Sequence, residues 1–87
     1  MSMRNRGDKM ENVHFTSRIK ELRARYNLTQ EQLANMVDAR RETIGHIEKN
    51  KYNPSLVLAY KISRALKSTI EDVFIFKEDT QTEKPGP

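Results

Sequence analysis

Apolar residues in the first half of the chain recur at spacings of three and four, the period of a helix with one buried face. Ile19, Leu22 and Tyr26 share such a stripe. They predict a first helix that starts near Thr16 or Ser17 and stops at Asn27, a residue that tolerates a left-handed cap. Leu33, Ala34 and Val37 form the next stripe, and its start is marked twice. Thr29 followed by Gln32 makes a capping box, and Leu28 and Leu33 flank it as a hydrophobic staple. Helix 2 is therefore placed from about 30 to 36 or 37. Only Asp38 and Ala39 clearly interrupt the pattern before Ile44 and Ile47 resume it as the inward face of helix 3, which ends near Asn50.

Pro54 pushes Asn53 out of the helical region, so residues 51–54 read as a loop. Ser55 can cap a fourth helix with Leu58, Ala59, Ile62, Ala65 and Leu66 inside, and Lys67 and Ser68 break it. Thr69 with Asp72 opens a short fifth helix presenting Ile70, Val73 and Phe74. Residues 1–12 are polar and without periodicity, and read as a disordered basic arm. Residues 77–87 end in Pro-Gly-Pro and read as a polar tail. The expected fold is all-α: five short helices over residues 13–76.

A chain of 87 residues has room for one core and not for a catalytic cleft between lobes. The absence of Cys excludes disulfides, thiolate metal sites and cysteine nucleophiles, and fits a reducing cytoplasm, although a secreted chain can also lack Cys. No apolar run approaches the roughly 20 residues of a membrane span, and no signal-peptide segment is evident. His14 and His46 are the only imidazoles; neither lies near a carboxylate pair, and each reads as a capping or surface residue. Thr16, Ser17, Thr29, Ser55 and Thr69 sit at predicted caps, which explains them without nucleophilic chemistry, and three scattered Gly cannot build a phosphate loop. No enzyme, metal, cofactor or small-molecule ligand is expected.

The net charge is +4, and five of the twelve acids cluster late, in Glu71, Asp72, Glu78, Asp79 and Glu83. The first half is thus more basic than the total suggests. A basic field on one face suits a nucleic-acid binder, although a soluble basic protein has the same sum. Distribution over helix 3 sharpens this. Two short helices joined by a tight turn form a unit whose second helix can enter the major groove. Positions 41, 42, 45, 46 and 49 fall within an arc of roughly 140° on helix 3, opposite Ile44 and Ile47. They hold Arg41, Glu42, Gly45, His46 and Lys49. The helix also opens on Arg40 and Arg41 where a capping side chain is favoured. Cations there cost roughly 0.3–1 kcal/mol each against the helix dipole. Phosphates would relieve that cost; partial compensation by Asp38 is the plainer alternative.

The stretch from Leu28 to Phe74 resembles the phage-repressor/Cro-type, or XRE-type, helix-turn-helix family. The likeness spans about residues 16–76. It is carried by Leu28-Thr29-Gln30 at the start of helix 2, Thr43-Ile44 and Ile47-Glu48 in helix 3, Asn53-Pro54-Ser55, and Leu58-Ala59 with Ile62 in helix 4. The resemblance implies a lambda-repressor-like domain and assigns roles. Arg41, Glu42 and His46 match positions that read base edges; Arg41 suits guanine and Glu42 a cytosine amine. An i, i+4 pair facing water is the alternative for Glu42 and His46. Gln30 matches a residue that bonds a phosphate and buttresses a reading side chain. Arg40, Thr43, Lys49 and Lys51 are placed for phosphates, and Tyr52 and Asn53 for backbone contact or for loop packing. Arg23 and Glu48 match a partly buried salt bridge between helices 1 and 3. Asp38 stands where the turn commonly has Gly, Arg40 where Ser or Thr is frequent, Glu42 in place of Gln, and Asn50 in place of Gly.

The resemblance further implies a transcriptional regulator in the cytoplasm, on the nucleoid. It would be a repressor binding a near-palindromic double-stranded operator as a homodimer, with half-sites about 34 Å apart. Within the apolar run 73–76, Phe74 is expected inside, and Ile75 or Phe76 at the dimer contact; closure of the monomer's own core is the alternative. The acidic tail keeps open a second role, as the antitoxin of a toxin–antitoxin pair with a protein partner. A protein-interaction module that has lost DNA contact is the third reading, against which the basic reading face stands.

Overall fold

Local capping sets most of the element boundaries. In the computed structural model, which describes residues 13–78, Thr29 accepts from the Gln32 N–H while the Gln32 side chain accepts from Thr29, so α2 (Gln30–Val37) starts where the capping box places it. Ser55 accepts from the Leu58 N–H at 3.0 Å and opens α4 (Leu56–Ala65). A second reciprocal box, Thr69 with Asp72, opens α5 (Ile70–Val73). The first helix, α1, is Ile19–Arg25, and α3 is Arg41–Glu48. The arm expected over 1–12 and the tail beyond 78 lie outside the described residues.

Left-handed residues close the turns. Asn27, Asp38 and Asn50 have φ of 55°, 59° and 60°, the conformation in which short polar side chains are tolerated. Lys67, at φ 55°, has no such chemistry, and its place in the pattern predicts only a helix break. Its ammonium lies 5.6 Å from the Tyr26 ring centroid. Tyr26, expected inside, is 38% exposed, because the helical stripe stops at Arg25.

Ile19, Leu22, Leu33, Ile44, Ile47, Ile62, Leu66 and Val73 are essentially inaccessible to solvent and form one core shared by all five helices. Ser63 is a polar residue buried as deeply as the core, and its hydroxyl donates to the Ala59 carbonyl at 2.8 Å.

The all-α expectation needs correction. Val13–Ser17 forms a strand, β1, and Phe74–Glu78 a second, β2; they pair antiparallel from Val13 opposite Glu78 to Ser17 opposite Phe74. Thr16 and Ser17 therefore do not begin a helix, and Phe74 lies beyond α5. Both segments mix β-branched and aromatic residues, which fit a pleated surface better than a helix. Phe15 packs edge-on against Phe74, with ring centroids 5.5 Å apart, and closes the core at this end. Two further bonds fix the ribbon to the helices: the Arg18 N–H donates to the Val73 carbonyl at 2.8 Å, and the Ser17 N–H to Asn50 Oδ1 at 3.1 Å. Arg18 also donates to the Asp72 carbonyl and to Glu21, and this exposed pair draws the Glu21 carboxyl below its ordinary pKa. No helix among the described residues is long and apolar enough to cross a membrane.

Candidate nucleic-acid interface

The turn between α2 and α3 spans Asp38 to Arg40. Asp38 reverses the chain in the left-handed region, and the Ala39 N–H returns to the Ala34 carbonyl at 2.9 Å, so the turn is hydrogen-bonded at its base. Ala34 and Val37 on α2 then meet Ile44 and Ile47 on α3, all of them buried. Burying Ile44 and Ile47 at zero exposure turns the opposite face of α3 to solvent. Arg41, Glu42, His46 and Lys49 line that side, and Gly45 and Thr43 are half-buried beside them.

Arg40 is the N-cap residue of α3, in extended conformation, and its side chain makes no capping bond. The first amides of the helix are thus uncapped by any side chain, under two cations. Lys51, Tyr52 and Asn53, in the loop after α3, are exposed. Among the described residues Glu42 and His46 form no ion pair with each other, although they stand one turn apart.

Behind this face runs a chain of polar contacts that joins three helices. Arg23 Nε donates to Glu48 Oε2 at 2.7 Å and Nη2 to Oε1 at 3.3 Å, while Nη1 donates to the Leu28 carbonyl at 2.8 Å. Both side chains of the pair are largely buried, at 13% and 7% exposure. A buried carboxylate held by a two-pronged guanidinium is well satisfied, and its value lies in fixing geometry. The chain continues outward. Gln30 Nε2 donates to Glu48 Oε1 at 3.0 Å, and Arg41 Nη1 donates to Gln30 Oε1 at 3.4 Å. The Gln30 amide lies over Gly45, and a Cβ at residue 45 would stand at an ordinary contact distance of 3.6 Å from Nε2.

Two features leave no mark in the sequence pattern. Glu48 has a second partner, Gln30, eighteen residues away, and nothing in the spacing of the two declares it. Asn50, legible as a cap alone, also anchors β1 to the end of α3 through Ser17.

Comparison with known proteins adds to this geometry. A family profile described as Helix-turn-helix matches residues 19–73, from the first residue of α1 to the last of α5. The chain belongs to the XRE-type helix-turn-helix family. An uncharacterized HTH-type transcriptional regulator of Archaeoglobus fulgidus is 60% identical over 68 residues, covering 78% of this chain and 96% of that relative. The restriction-modification controller protein C.AhdI of Aeromonas hydrophila superposes with a TM-score of 0.60 and 34% identity, over 63% of this chain and 83% of its own. The clp gene regulator ClgR of Corynebacterium glutamicum gives a TM-score of 0.59 over 62% of this chain and 57% of its own; at 20% identity it speaks for the fold alone. This XRE-type chain thus carries the helix-turn-helix DNA-binding domain of a transcriptional regulator.

Proposed function

We propose that the protein is a sequence-specific repressor that reads a near-palindromic double-stranded operator as a homodimer, with α3 of each copy in the major groove. The observation that carries this reading is the division of α3. Its inner face is fully buried by Ile44 and Ile47, and its outer face offers Arg41, Glu42, His46 and Lys49 around a glycine. Arg41 is assigned to guanine, Glu42 to a cytosine amine and His46 to an adjacent base edge. Gln30, Arg40, Thr43, Lys49, Lys51 and Asn53 flank that face and are assigned to phosphates. The uncapped start of α3 adds to them, since free amides and two cations at a helix N-terminus make an anion site.

Of Ile75 and Phe76, the two candidates for the dimer contact, both of which lie in strand β2, Phe76 is assigned to it. Alternation along the strand turns Phe76 to the side of Phe74 and Ile75 to the other. Phe76 is 58% exposed and borders an apolar groove of about 350 Å³ lined by Val13, Phe15, Pro54, Leu56 and Phe74. An exposed aromatic beside an apolar hollow on one face is the layout that a twofold contact uses, each copy filling the other. Leu56, at 77% exposure, extends the same face along α4. Repression is the assigned sign because a bound domain of this size can occlude polymerase and has little surface left to recruit it.

Selection of bound duplexes from a random pool tests the reading. The expected winner is a near-palindrome with half-sites about one helical turn apart. Binding without sequence preference, lost steeply as salt rises, would reduce the interface to phosphate contacts and overturn it.

A further inference from the structure

The chain of contacts from Arg23 to Arg41 has a direction, and the direction has a consequence for base reading. A glutamine amide can sit in either of two orientations, with its donor and acceptor exchanged. At Gln30 both neighbours demand the same one. Glu48 is a carboxylate and can only accept, so it takes the Nε2 side at 3.0 Å. Arg41 can only donate, so it takes Oε1 at 3.4 Å. Glu48 itself has no freedom to turn away, because Arg23 grips both its oxygens and is tied to the Leu28 carbonyl. We infer that Glu48 is a specificity-positioning residue: by orienting the Gln30 amide it aims a carbonyl at Arg41 and holds that guanidinium ready for guanine. The inference rests on the proposed reading of bases by α3, and gives Glu48 a task beyond joining α1 to α3.

Exchanging donors for acceptors along this chain has physical consequences. In Glu48→Gln the new amide keeps its oxygen toward Arg23 Nε, the shorter bond at 2.7 Å, gives up the 3.3 Å bond from Arg23 Nη2, and so turns its NH₂ toward Gln30. Gln30 must then flip and present its own NH₂ to Arg41, donor against donor. The anchor is lost without removing any atom from the face that meets DNA. In the double variant Glu48→Gln with Gln30→Glu, the acid and the amide trade places. The amide now at position 48 donates to the carboxylate now at position 30, whose other oxygen accepts from Arg41. The net charge is that of the original chain. Gln30→Glu alone sets two carboxylates about 3 Å apart and breaks the sequence of contacts at its middle. Gln30→Met removes the amide while leaving the Arg23–Glu48 pair intact.

The measurement is the ratio of affinities for the selected operator and for the same duplex with the guanine governed by Arg41 replaced. It is taken for the full chain after circular dichroism has confirmed a folded state at the working temperature. The wild-type ratio should fall about fivefold in Glu48→Gln, the worth of one hydrogen bond, and as far in Gln30→Met. The acid–amide exchange should return it toward the wild-type value, whatever becomes of overall affinity. A wild-type ratio in Glu48→Gln overturns the inference while leaving base reading by Arg41 standing, whatever Gln30→Met does. So does an exchange variant that stays as low as Glu48→Gln. A ratio of one in the wild type itself, or one untouched by Arg41→Ala, overturns the reading on which the inference rests.

Discussion

At the scale of single residues, Arg40 occupies a position that local stability would give to Ser, Thr, Asp or Asn. Its side chain caps nothing and adds a cation to the positive end of α3. Replacing a non-capping residue by a capping one is worth about 1 kcal/mol, and removing the cation adds a few tenths more. Arg40→Ser should therefore raise the melting temperature by roughly 4–8 °C in a domain of this size. The same change should weaken binding to any duplex, specific or not, because the lost group is assigned to a phosphate. Calorimetry and a binding isotherm on a non-operator duplex measure the two effects. A variant that gains stability and loses no affinity would make Arg40 an accident of sequence and not a phosphate ligand. Residue-level features of this kind are legible from the chain alone when they are local. The Thr29–Gln32 box and the left-handed Asn27, Asp38 and Asn50 each depend on neighbours within one turn. The left-handed Lys67 is not legible, since lysine gives no sign of that conformation.

Among elements, α3 buries one face through Ile44 and Ile47 and leaves the other exposed. Gly45 lies inside it and is a weak helix former, costing roughly 0.5–1 kcal/mol relative to Ala. Its φ is not in the left-handed region, and a Cβ there would meet only Gln30, at an ordinary contact distance of 3.6 Å. Gly45→Ala should accordingly stabilise the domain by about that amount in urea unfolding. A destabilised variant would show that the Gln30 amide cannot share its space with a methyl group. The paired strands mark the limit of pattern reading at this scale. Val13–Ser17 and Phe74–Glu78 stand at opposite ends of the domain's sequence, and each is only 5 residues long. Neither carries enough alternation to be separated from an adjoining helix, so the helical spacing from Ile19 and from Ile70 runs on into them. What recovers the strands is the non-local pairing of Phe15 with Phe74 and Phe76, which no window along the chain contains.

For the molecule as a whole, the core closes with Phe74 inside and Phe76 outside, so the aromatic series continues past the point where the monomer needs it. If that surplus is the dimer contact, Phe76→Glu should yield a monomer by sedimentation velocity while the thermal transition stays within a few degrees. A Phe76→Glu chain that still associates would move the contact elsewhere. Much of this level is visible in the sequence: the five helices, most of their inward residues (Tyr26 is exposed instead) and the outward set on α3 come from spacing. The relay behind that face is not, because Gln30 and Glu48 meet only once two helices have packed.

The central claim is that the outer face of α3 reads sequence through Arg41, and one comparison tests it most directly. Wild type and Arg41→Ala are titrated against the selected operator and against single-base-pair variants of it, at several salt concentrations. The account predicts that Arg41→Ala loses about 1–3 kcal/mol of discrimination at one base pair in each half-site and keeps it at the others. Lys51→Ala, in parallel, should weaken all duplexes alike and reduce the salt slope by about one. If Arg41→Ala instead weakens every duplex equally and leaves all base preferences as they were, Arg41 touches only phosphate, and the assignment of base reading to this face is wrong.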